Sequence, residues 1–378
     1  MLNNPFVIAG YIPEEYFCDR KEETKLLTKY LYNDNNVVLI SPRRMGKSGL
    51  IQHTFSRKEI KESYATIYID ILQTSSLREF VFILGKNIFE NLVPKTTKFI
   101  TSFFQSLKSL NGKISFDALS GQPSFNIMLG EITNPQLTLE EIFQYIEKVN
   151  KRVIIAIDEF QQIIKYPENN IEAILRTYIQ QCKNANFIFS GSERHIMQEI
   201  FLSHAHPFYN SASIMVLDAI LKDIYVRFAE DNFHKNKRKV ERSSLEFLYD
   251  LFDGYTFYLQ KTLNLAYADQ RPEETCDVEL IKKSINNILE ANSLIYREVL
   301  SNMPERQKDL FYAIAIEKEI NEITSSAFIK KYNLLSASSV QSATKSLLEK
   351  EYITKNGKNY ELNDKFFALW IRKIYGSD

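Results

Sequence analysis

The stretch LISPRRMGKSGL, Leu39 to Leu50, follows the apolar pair Val37-Val38 and begins an amphipathic segment. Its Gly46-Lys47-Ser48 is the second half of the glycine-rich loop that cradles phosphate groups between a strand and a helix. The place of the first glycine of such a loop is taken by Ser41, a small residue that tolerates turns. Because the length of the loop is kept, we interpret it as a weakened phosphate loop. The alternative is a surface Gly-Lys-Ser that begins an ordinary helix.

The composition is that of a folded protein with room for two or three domains. The chain has 378 residues, 44% of them apolar, and a formal net charge of zero, so no overall basic field announces a nucleic-acid partner. Three widely spaced cysteines, Cys18, Cys182 and Cys276, show neither metal spacing nor a disulfide framework, which fits a reducing compartment. The N-terminus lacks a secretory signal, and no apolar run approaches the roughly 20 residues that span a bilayer. We therefore expect a soluble cytoplasmic protein with no membrane partner.

Short apolar runs alternate with helical patterns in the first 220 residues. This alternation predicts an α/β fold, in which a parallel sheet is flanked by helices on both faces. The predicted strands lie at residues 35–41, 65–72, 152–160, 186–192 and 213–220, and the predicted helices at 20–31, 47–55, 77–92 and 170–182. Residues 95–137 contain two alternating stretches, which suggest a hairpin insertion. Thr138, with Glu141 three places on, predicts a capping box that opens the next helix.

The strand signal fades after about Leu221, and residues 222–300 are predicted to form consecutive helices. Residues 304–363 are predicted to form three helices and then two short strands around Asn356-Gly357, a good hairpin turn. Three helices with a hairpin indicate a winged helix. The sequence therefore predicts three domains: the sheet domain at 1–220, an all-α lid at 221–300 and a winged-helix domain at 301–378.

Two carboxylates, Asp158 and Glu159, follow the apolar strand VIIAI. They are thereby expected at the carboxyl edge of the sheet, where ligands bind in open α/β folds. A nucleoside triphosphatase needs an acidic group that holds Mg²⁺ and a group that orients or deprotonates the attacking water. We expect Lys47 and this acid pair to converge on one triphosphate across the ends of neighbouring strands. The alternative is a strand-end acidic pair that caps the next helix, and the phosphate loop earlier in the chain argues against it.

Further polar groups follow the predicted strand at 186–192. Ser190 and Ser192 lie at its end, from where a hydroxyl can reach the terminal phosphate or the attacking water; a strand that ends in turn residues is an equal alternative. Arg194 comes next and can neutralise transition-state charge, either in its own chain or across a subunit contact. A solvated side chain is the plainer interpretation of an arginine at this place.

Several segments together resemble the archaeal-type and Bacteroidetes-type AAA+ ATPases, a branch near the STAND signal-transduction nucleoside triphosphatases. The resemblance is carried by the N-terminal arm from Asn4 to Glu23, the loop SPRRMGKSGL, the acidic strand VIIAIDEFQQI, and the segments FIFSGSERHIM and HPFYNSASIMVLDAI. FDGYTFYLQ and the terminal YELNDKFFALWIRKIY also match, so the resemblance spans nearly the whole chain. Serine at the position of Ser41 is a familiar replacement in this group.

The resemblance implies ATP binding and slow hydrolysis with Mg²⁺. By motif match, Ser48 and Asp158 would hold Mg²⁺, and Glu159 would prepare the attacking water. Lys47 would bind phosphate, and Ser192 would be the polar sensor. The arm around Tyr16, Phe17 and Arg20 would lie near the adenine. The candidate site residues are therefore, for catalysis, Glu159, Lys47, Ser192 and Arg194, and, for nucleotide binding, Ser41, Pro42, Arg43, Arg44, Met45, Gly46, Lys47, Ser48, Gly49, Tyr16, Phe17 and Arg20.

Two positions depart from the pattern of this group. Its lid motif usually has a proline two places after the glycine, whereas Gly254 is followed by Tyr255 and Thr256. An arginine often stands in the segment after Pro207, where this chain has Asn210. The sequence thus leaves open how the lid contacts adenine and which residue serves as an arginine finger.

The predicted winged helix raises the question of a partner. In SASSVQSATKSLLEKEY, Ser336 to Tyr352, the early positions are small and hydroxylated, as suits a recognition helix in a major groove. The net charge between Lys330 and Lys365 is only +3, whereas phosphate contacts usually draw on several clustered cations. Winged helices also dock proteins. DNA, a protein partner and a second copy of the chain all remain possible partners at this point.

Three hypotheses for function follow. The first is an ATP-hydrolysing switch whose nucleotide state is coupled to the arrangement of the lid and the winged helix. The second is a DNA-binding regulator that uses ATP as a ligand and barely hydrolyses it. The third is a protein-interaction scaffold in which the nucleotide is structural.

Overall fold

The structure is a computed structural model that describes residues 4–8, 10, 12–109, 115–116, 123–124, 129, 132–271, 273–318 and 320–376. The chain forms two compact units. We call Tyr11–Ala219 the sheet unit, and Met1–Gly10 together with Ile220–Asp378 the helical unit. The division of the chain into three domains stays a prediction, because the contacts separate these two units only and the first residues of the arm belong to the helical unit.

The described strands and helices of the sheet unit alternate for most of its length. The strands are β1 (Val37–Ile40), β2 (Tyr64–Asp70), β3 (Ser115–Phe116), β4 (Pro123–Ser124), β5 (Arg152–Asp158), β6 (Ala185–Gly191) and β7 (Ser213–Val216). The helices are α1 (Lys21–Tyr32), α2 (Lys47–Ser56), α3 (Lys58–Ser63), α4 (Leu77–Leu92), α5 (Thr97–Ser106), α6 (Pro135–Lys148), α7 (Ile171–Gln181) and α8 (Arg194–Leu202). Short 3₁₀ helices span Glu14–Tyr16 and Phe160–Lys165.

Five strands form one parallel sheet in the order β2-β5-β6-β1-β7. The predicted α/β fold with a parallel sheet is thus confirmed. The expectation that β1 and β5 are neighbours is wrong, because β6 pairs with both of them and lies between them. The ends of β1 and β5 are therefore about 10 Å apart across the sheet, and the loop and first turn of α2 span this gap.

Apolar residues cover both faces of the sheet, as β5 illustrates. Val153, Ile155 and Ile157 are buried in one core, together with residues of α4, α6, α7 and α8. Ile154 and Ala156, which alternate with them, are buried in a second core with residues of α1, α2 and α3. Alternate side chains of a strand point to opposite faces, so a strand that is apolar throughout must be buried on both.

The region between α5 and β5 differs from its prediction in one respect. β3 and β4 pair antiparallel, as expected for a hairpin, while most of the residues around them lie outside the described part of the chain. The predicted capping box is wrong: α6 begins earlier, with Pro135 at its first position and the Asn134 side chain accepting from the N–H of Leu137. Thr138 instead bonds back to the Asn134 carbonyl, and Glu141 accepts from Ser109. The Asn-Pro pair is the stronger start signal, because proline at the first helical position sacrifices no helical hydrogen bond.

The helical unit continues from residue 220. Its helices are α9 (Lys222–Lys235), α10 (Arg242–Leu251), α11 (Thr256–Asp269), α12 (Val278–Ser301), α13 (Glu305–Glu317), α14 (Ser326–Lys331), α15 (Ala337–Glu349) and α16 (Lys365–Tyr375), and its strands are β8 (Lys239–Val240), β9 (Thr275–Cys276), β10 (Ile353–Asn356) and β11 (Asn359–Leu362). From the arm, Phe6 is fully buried against Phe233 and Tyr267. No helix in the described part of the chain is both long and apolar enough to cross a bilayer.

The last part of this unit has the winged-helix arrangement that the sequence predicts. α13, α14 and α15 precede the antiparallel pair β10–β11, and Ile320 forms a separate antiparallel bridge with Tyr360 of β11. The turn is shifted by one residue from the prediction: Asn356 pairs with Asn359, so Gly357 and Lys358 form the turn. Gly357 has a φ of 63°, which a glycine at the first turn position adopts readily.

Hydrogen bonds within the helical unit join α11 to the winged helix. The Tyr258 hydroxyl donates to the carbonyl of Asn363 at 3.1 Å and accepts from the N–H of Lys365 at 3.0 Å. The Tyr255 hydroxyl donates to Glu361 at 3.2 Å. The Tyr258 ring also packs on Phe366, 5.0 Å away between centroids. The tyrosines of the GYTFY segment therefore tie the predicted lid to the winged helix.

Candidate functional site

The candidate phosphate loop connects β1 to α2. Among the described residues, the loop has a positive φ at Arg44 (67°) and Gly46 (91°), but not at Ser41. Serine can therefore stand where such loops have their first glycine, because this backbone does not need the left-handed region there. The N–H groups of the first turn of α2 have no carbonyl partner within the helix, and such groups suit an anion.

Lys47 is the first residue of α2, and its side chain is buried. Its Nζ donates to the carbonyl oxygens of Ser41 at 3.1 Å and Pro42 at 3.2 Å. Burial lowers the pKa of this amine, while the nearby carboxylates of Glu159 and Asp158 act in the opposite direction. The structure therefore brings Lys47 close to both acids that the sequence singled out.

Asp158 ends β5 and is buried. Its Oδ2 accepts a hydrogen bond from the Ser48 hydroxyl at 2.8 Å and a second one from the Tyr68 hydroxyl. Ser48 belongs to α2 and Tyr68 to β2, so three separate elements meet at one carboxylate oxygen. A serine hydroxyl beside a carboxylate is an all-oxygen donor set of the kind that Mg²⁺ prefers.

Glu159 lies just beyond β5 in the left-handed region, with a φ of 56°. Its N–H donates to Asp158 Oδ1 at 3.0 Å. Its Oε2 accepts from the Ser192 hydroxyl at 2.7 Å and from Gln161 Nε2 at 2.6 Å. The backbone turn thus separates two adjacent carboxylates, so that Asp158 meets α2 while Glu159 meets the end of β6.

Ser192 follows β6 directly and is connected to the phosphate loop. Arg43 donates from Nε to the Ser192 hydroxyl at 3.2 Å, and this hydroxyl donates to Glu159. A hydrogen-bonded chain therefore runs from the loop through Ser192 to Glu159. Ser190 is fully buried inside β6, and its hydroxyl has no partner among the described residues.

The N-terminal arm lies over the first turns of α2. The Phe17 ring stacks on His53 with 4.0 Å between centroids and 4° between planes, and it is the nearest group to a Cβ placed on Gly49. Tyr16 ends the preceding 3₁₀ helix. Arg20 is buried and donates to the carbonyl oxygens of Asp218 at 2.7 Å and Met45 at 3.4 Å, so it braces the loop. Proximity of these three arm residues to adenine stays a prediction.

Arg194 begins α8, three residues beyond the carboxyl end of β6. Its Nη2 lies 3.1 Å from Asp218 Oδ1, and its charge is one of those that lower the pKa of Lys47. The arginine is therefore close to the candidate site within its own chain. Asn210, where a finger arginine was sought, adopts a φ of 51° and donates from its N–H to the carbonyl of Phe201.

Three residues at this edge were not singled out from the sequence. Tyr68 bonds to Asp158, and Gln161 bonds to Glu159. Asp70 pairs in register with Asp158, and its pKa is raised by burial and by the carboxylates of Asp158 and Glu159. Asp70 had a signal, since it ends an apolar strand as Asp158 does. Tyr68 and Gln161 had none that separates them from ordinary core residues.

The site fits a nucleoside triphosphate with Mg²⁺ on the chemistry of its donors. Lys47 supplies a buried cation, α2 supplies N–H groups for an anion, and Ser48 with Asp158 supplies oxygen ligands 2.8 Å apart. Asp158 and Glu159 supply the negative charge that a cation beside a polyphosphate requires.

Comparison with known families gives two matches. A family described as an ATPase domain predominantly from Archaea matches residues 17–262, and a probable winged helix domain matches residues 294–373. An uncharacterized ATP-binding protein of Methanocaldococcus jannaschii is 24% identical over 312 residues, which cover 78% of this chain and 81% of that protein.

The chain is also similar to solved structures over nearly its whole length. A Walker-type ATPase of Pyrococcus abyssi has 18% identity and a TM-score of 0.66, and the match covers 97% of this chain and 99% of that one. The ORC2 protein of Aeropyrum pernix, solved as ADPNP-ADP complexes, has 13% identity and a TM-score of 0.58, with 99% and 98% covered. The ORC1 protein of the same organism, in complex with DNA, has 12% identity and a TM-score of 0.56, with 98% and 97% covered. At these identities the likeness establishes the fold.

Proposed function

This chain belongs to the family of ATPase domains found predominantly in Archaea, and from that premise we propose that it hydrolyses ATP slowly with Mg²⁺. The family and the similar proteins indicate an ATP-binding protein with a Walker-type ATPase fold. Hydrolysis, the metal and the roles of single residues are the parts that we propose.

One observation supports the proposal above all others. The Ser48 hydroxyl and the Asp158 carboxylate are 2.8 Å apart, although Ser48 follows β1 and Asp158 ends β5, and these two strands are not neighbours. Lys47, one residue before Ser48, lies close enough to Asp158 and Glu159 for both carboxylates to raise its pKa. A surface Gly-Lys-Ser that merely begins a helix has no reason to meet the acidic end of a strand two positions away in the sheet.

We propose a role for each residue that fits its position. Lys47 exchanges the carbonyl oxygens of Ser41 and Pro42 for the β- and γ-phosphates. Ser48 and Asp158 would hold Mg²⁺, which would neutralise charge on the phosphates. Glu159 accepts a proton from the water that attacks the γ-phosphate in line, and Ser192 orients that water or the phosphate. Arg194 neutralises transition-state charge from within the same chain.

The test of hydrolysis is the exchange of Glu159 for glutamine, which keeps the size of the side chain and removes the base. We expect Glu159→Gln to bind ATP like the wild type and to turn it over about 100-fold more slowly. Glu140→Gln is the matched control, because Glu140 lies on α6 and accepts only from Gln144 among the described contacts of its carboxylate. If Glu159→Gln turned ATP over at the wild-type rate, Glu159 would not be the catalytic base.

We also propose that the nucleotide state changes the arrangement of the lid and the winged helix. The bonds from Tyr255 and Tyr258 to Glu361, Asn363 and Lys365 support this proposal, because a shift of the lid is transmitted through them to the winged helix. Small-angle scattering of the wild type with ADP and with a non-hydrolysable ATP analogue is expected to differ, whereas Lys47→Ala is expected to give one curve under both conditions. Identical curves for the wild type would end this proposal.

A second function has a specific observation in its favour. The α15 positions Ser338, Gln341 and Ser342 are exposed, as are Lys355 and Lys358 around the β10–β11 turn. Such groups suit base edges and phosphates, so an ATP-liganded DNA-binding regulator with little turnover is the alternative. This alternative predicts that the protein shifts a DNA duplex in a gel, that salt weakens the shift, and that removal of residues 304–378 abolishes it. It also predicts that DNA does not raise the rate of ATP turnover.

A further inference from the structure

Gln161 is a buried amide beside the proposed catalytic base. It is the second residue of the 3₁₀ helix Phe160–Lys165, and only 1% of its surface is exposed. Its Nε2 donates to Glu159 Oε2 at 2.6 Å, and the Ser192 hydroxyl donates to the same oxygen at 2.7 Å. Two donors from different elements therefore hold one oxygen of Glu159, and no described hydrogen bond involves the other oxygen, Oε1.

The surroundings of Gln161 are shaped to accept it. A Cβ placed on Gly191 would come well within 3.0 Å of both Gln161 and Met197, so the glycine at the end of β6 leaves the space that the amide occupies. Gln161 Oε1 has no partner among the described residues, although it is buried. A buried amide oxygen without a partner costs free energy. The useful part of this amide is therefore its N–H donor, which faces Glu159.

We propose that Gln161 is a positioning residue for ATP hydrolysis, which fixes Glu159 through Oε2 and leaves Oε1 to accept the proton of the attacking water. This inference rests on the proposed function, since it assigns Glu159 as the base. The reason for an amide is its chemistry: it donates a hydrogen bond, carries no charge and does not take up the proton itself.

The orientation of the base is expected to affect kcat more than KM. Glu159 is a side chain with three rotatable bonds, and a carboxylate that samples several rotamers is correctly placed for only part of the time. Gln161 touches neither the phosphate loop nor Ser48 in the described contacts, so ATP binding does not depend on it directly.

The first experiment replaces the donor end by an apolar side chain. We expect Gln161→Leu to lower kcat about 10-fold and to change KM for ATP by less than about 2-fold. Gln162→Leu is the matched control: Gln162 is the next residue of the same 3₁₀ helix, and its Nε2 donates to the carbonyl of Thr74 at 2.9 Å, away from Glu159. Equal kcat values for Gln161→Leu and Gln162→Leu would overturn the inference.

The second experiment keeps the size of the side chain and removes only its donor. In Gln161→Glu a carboxylate replaces the amide, so it repels Glu159 Oε2 where the amide donated a hydrogen bond to it. We expect kcat to fall at least as far as in Gln161→Leu. A folded Gln161→Glu protein with the kcat of the wild type would contradict the inference.

A third readout separates this inference from the proposed function. A crystal structure of Gln161→Leu is expected to show the Glu159 carboxylate displaced from Ser192 or spread over several rotamers, and this holds whether or not the wild type hydrolyses ATP. An unmoved Glu159 overturns the positioning role alone. A wild type that binds ATP without turnover, combined with a displaced Glu159, overturns hydrolysis and leaves the positioning of this side chain in place.

Discussion

The lysine of the phosphate loop and the lysines of the winged helix occupy opposite kinds of environment. Lys47 is only 6% exposed and donates to two carbonyl oxygens. On the winged helix, the side chain of Lys345 is 80% exposed and reaches Glu349 only at 3.9 Å. Lys355 and Lys358 are exposed as well. Lys47 is thus held by buried acceptors, whereas Lys345 and Lys355 make only exposed contacts, with Glu349 and with the Tyr360 ring.

This difference separates a site from a surface. Burying an ammonium group costs free energy unless it has hydrogen-bond acceptors. The carbonyl oxygens around Lys47 are therefore placed where this charge needs them. Exposed lysines lose no hydration free energy on folding, and an exposed lysine that pairs with an acid adds little to the stability of the protein. The nucleotide site can therefore be argued from geometry, whereas binding of DNA depends on how several weak contacts add up.

The largest effect is expected when one lysine of each kind is removed. Lys47→Ala is expected to weaken ATP binding at least about 100-fold, because it removes charge-assisted bonds to phosphate from a buried place. Lys345→Ala is the control and is expected to leave ATP affinity unchanged. Isothermal titration with ATP and Mg²⁺ measures both. Similar affinities for the two variants would show that the loop does not hold the phosphates.

The contrast also explains which features the sequence could predict. Lys47, Ser48, Asp158 and Glu159 were predicted because each has a local signal, either a glycine-rich loop or an acid after an apolar strand. The position of β6 between β1 and β5 was missed, because strand order depends on crossover connections that leave no mark on the strands themselves.

Contacts that depend on register were equally out of reach. Tyr68 meets Asp158 only because Asp70, two residues later in β2, pairs with Asp158. Gln161 meets Glu159 because the backbone turns into the left-handed region at Glu159. A pattern of residue types does not encode either geometry. The start of α6 was different, since the Asn134-Pro135 signal was present and a weaker capping pattern was preferred to it.

The exposed lysines of the winged helix are expected to matter only if a nucleic acid binds there. If the winged helix binds duplex DNA, reversing both turn charges with Lys355→Glu and Lys358→Glu is expected to weaken it about 10-fold or more at moderate salt. The slope of log affinity against log salt concentration is expected to fall by about 2, one for each lost phosphate contact.

A matched control for the turn uses the same charge change elsewhere. Lys58→Glu combined with Lys61→Glu reverses two exposed lysines of α3, in the sheet unit. Anisotropy titrations of a labelled duplex at several salt concentrations compare the two double variants. Equal weakening by the α3 variant would mean that the winged helix is not the specific contact, and no weakening by either variant would favour a protein partner.

A smaller effect is expected at the other acid of the site. Tyr68→Phe removes one donor from Asp158 Oδ2 and leaves the hydrogen bond from Ser48. The carboxylate is then less well fixed, and the Mg²⁺ concentration for half-maximal ATP turnover is expected to rise about 3-fold. Tyr64→Phe is the control on the same strand, because the Tyr64 hydroxyl donates to the carbonyl of Leu31 instead. A shift of equal size in both variants would point to a general loosening of β2.

The smallest effect tests whether the environment of Lys47 matters in solution. Burial lowers the pKa of this amine below the usual value of 10.5, and the phosphates bind its protonated form. The affinity for ATP is therefore expected to start falling below pH 10.5, at a lower pH than for an ordinary lysine, and to fall a few-fold as the amine loses its proton. In Lys47→Arg the guanidinium stays protonated across this range, so its affinity, whatever its starting value, is expected to stay level. If the wild type and Lys47→Arg lose affinity in parallel, a group other than Lys47 loses its charge in this pH range. The pKa of Lys47 would then be no lower than that of the exposed lysines.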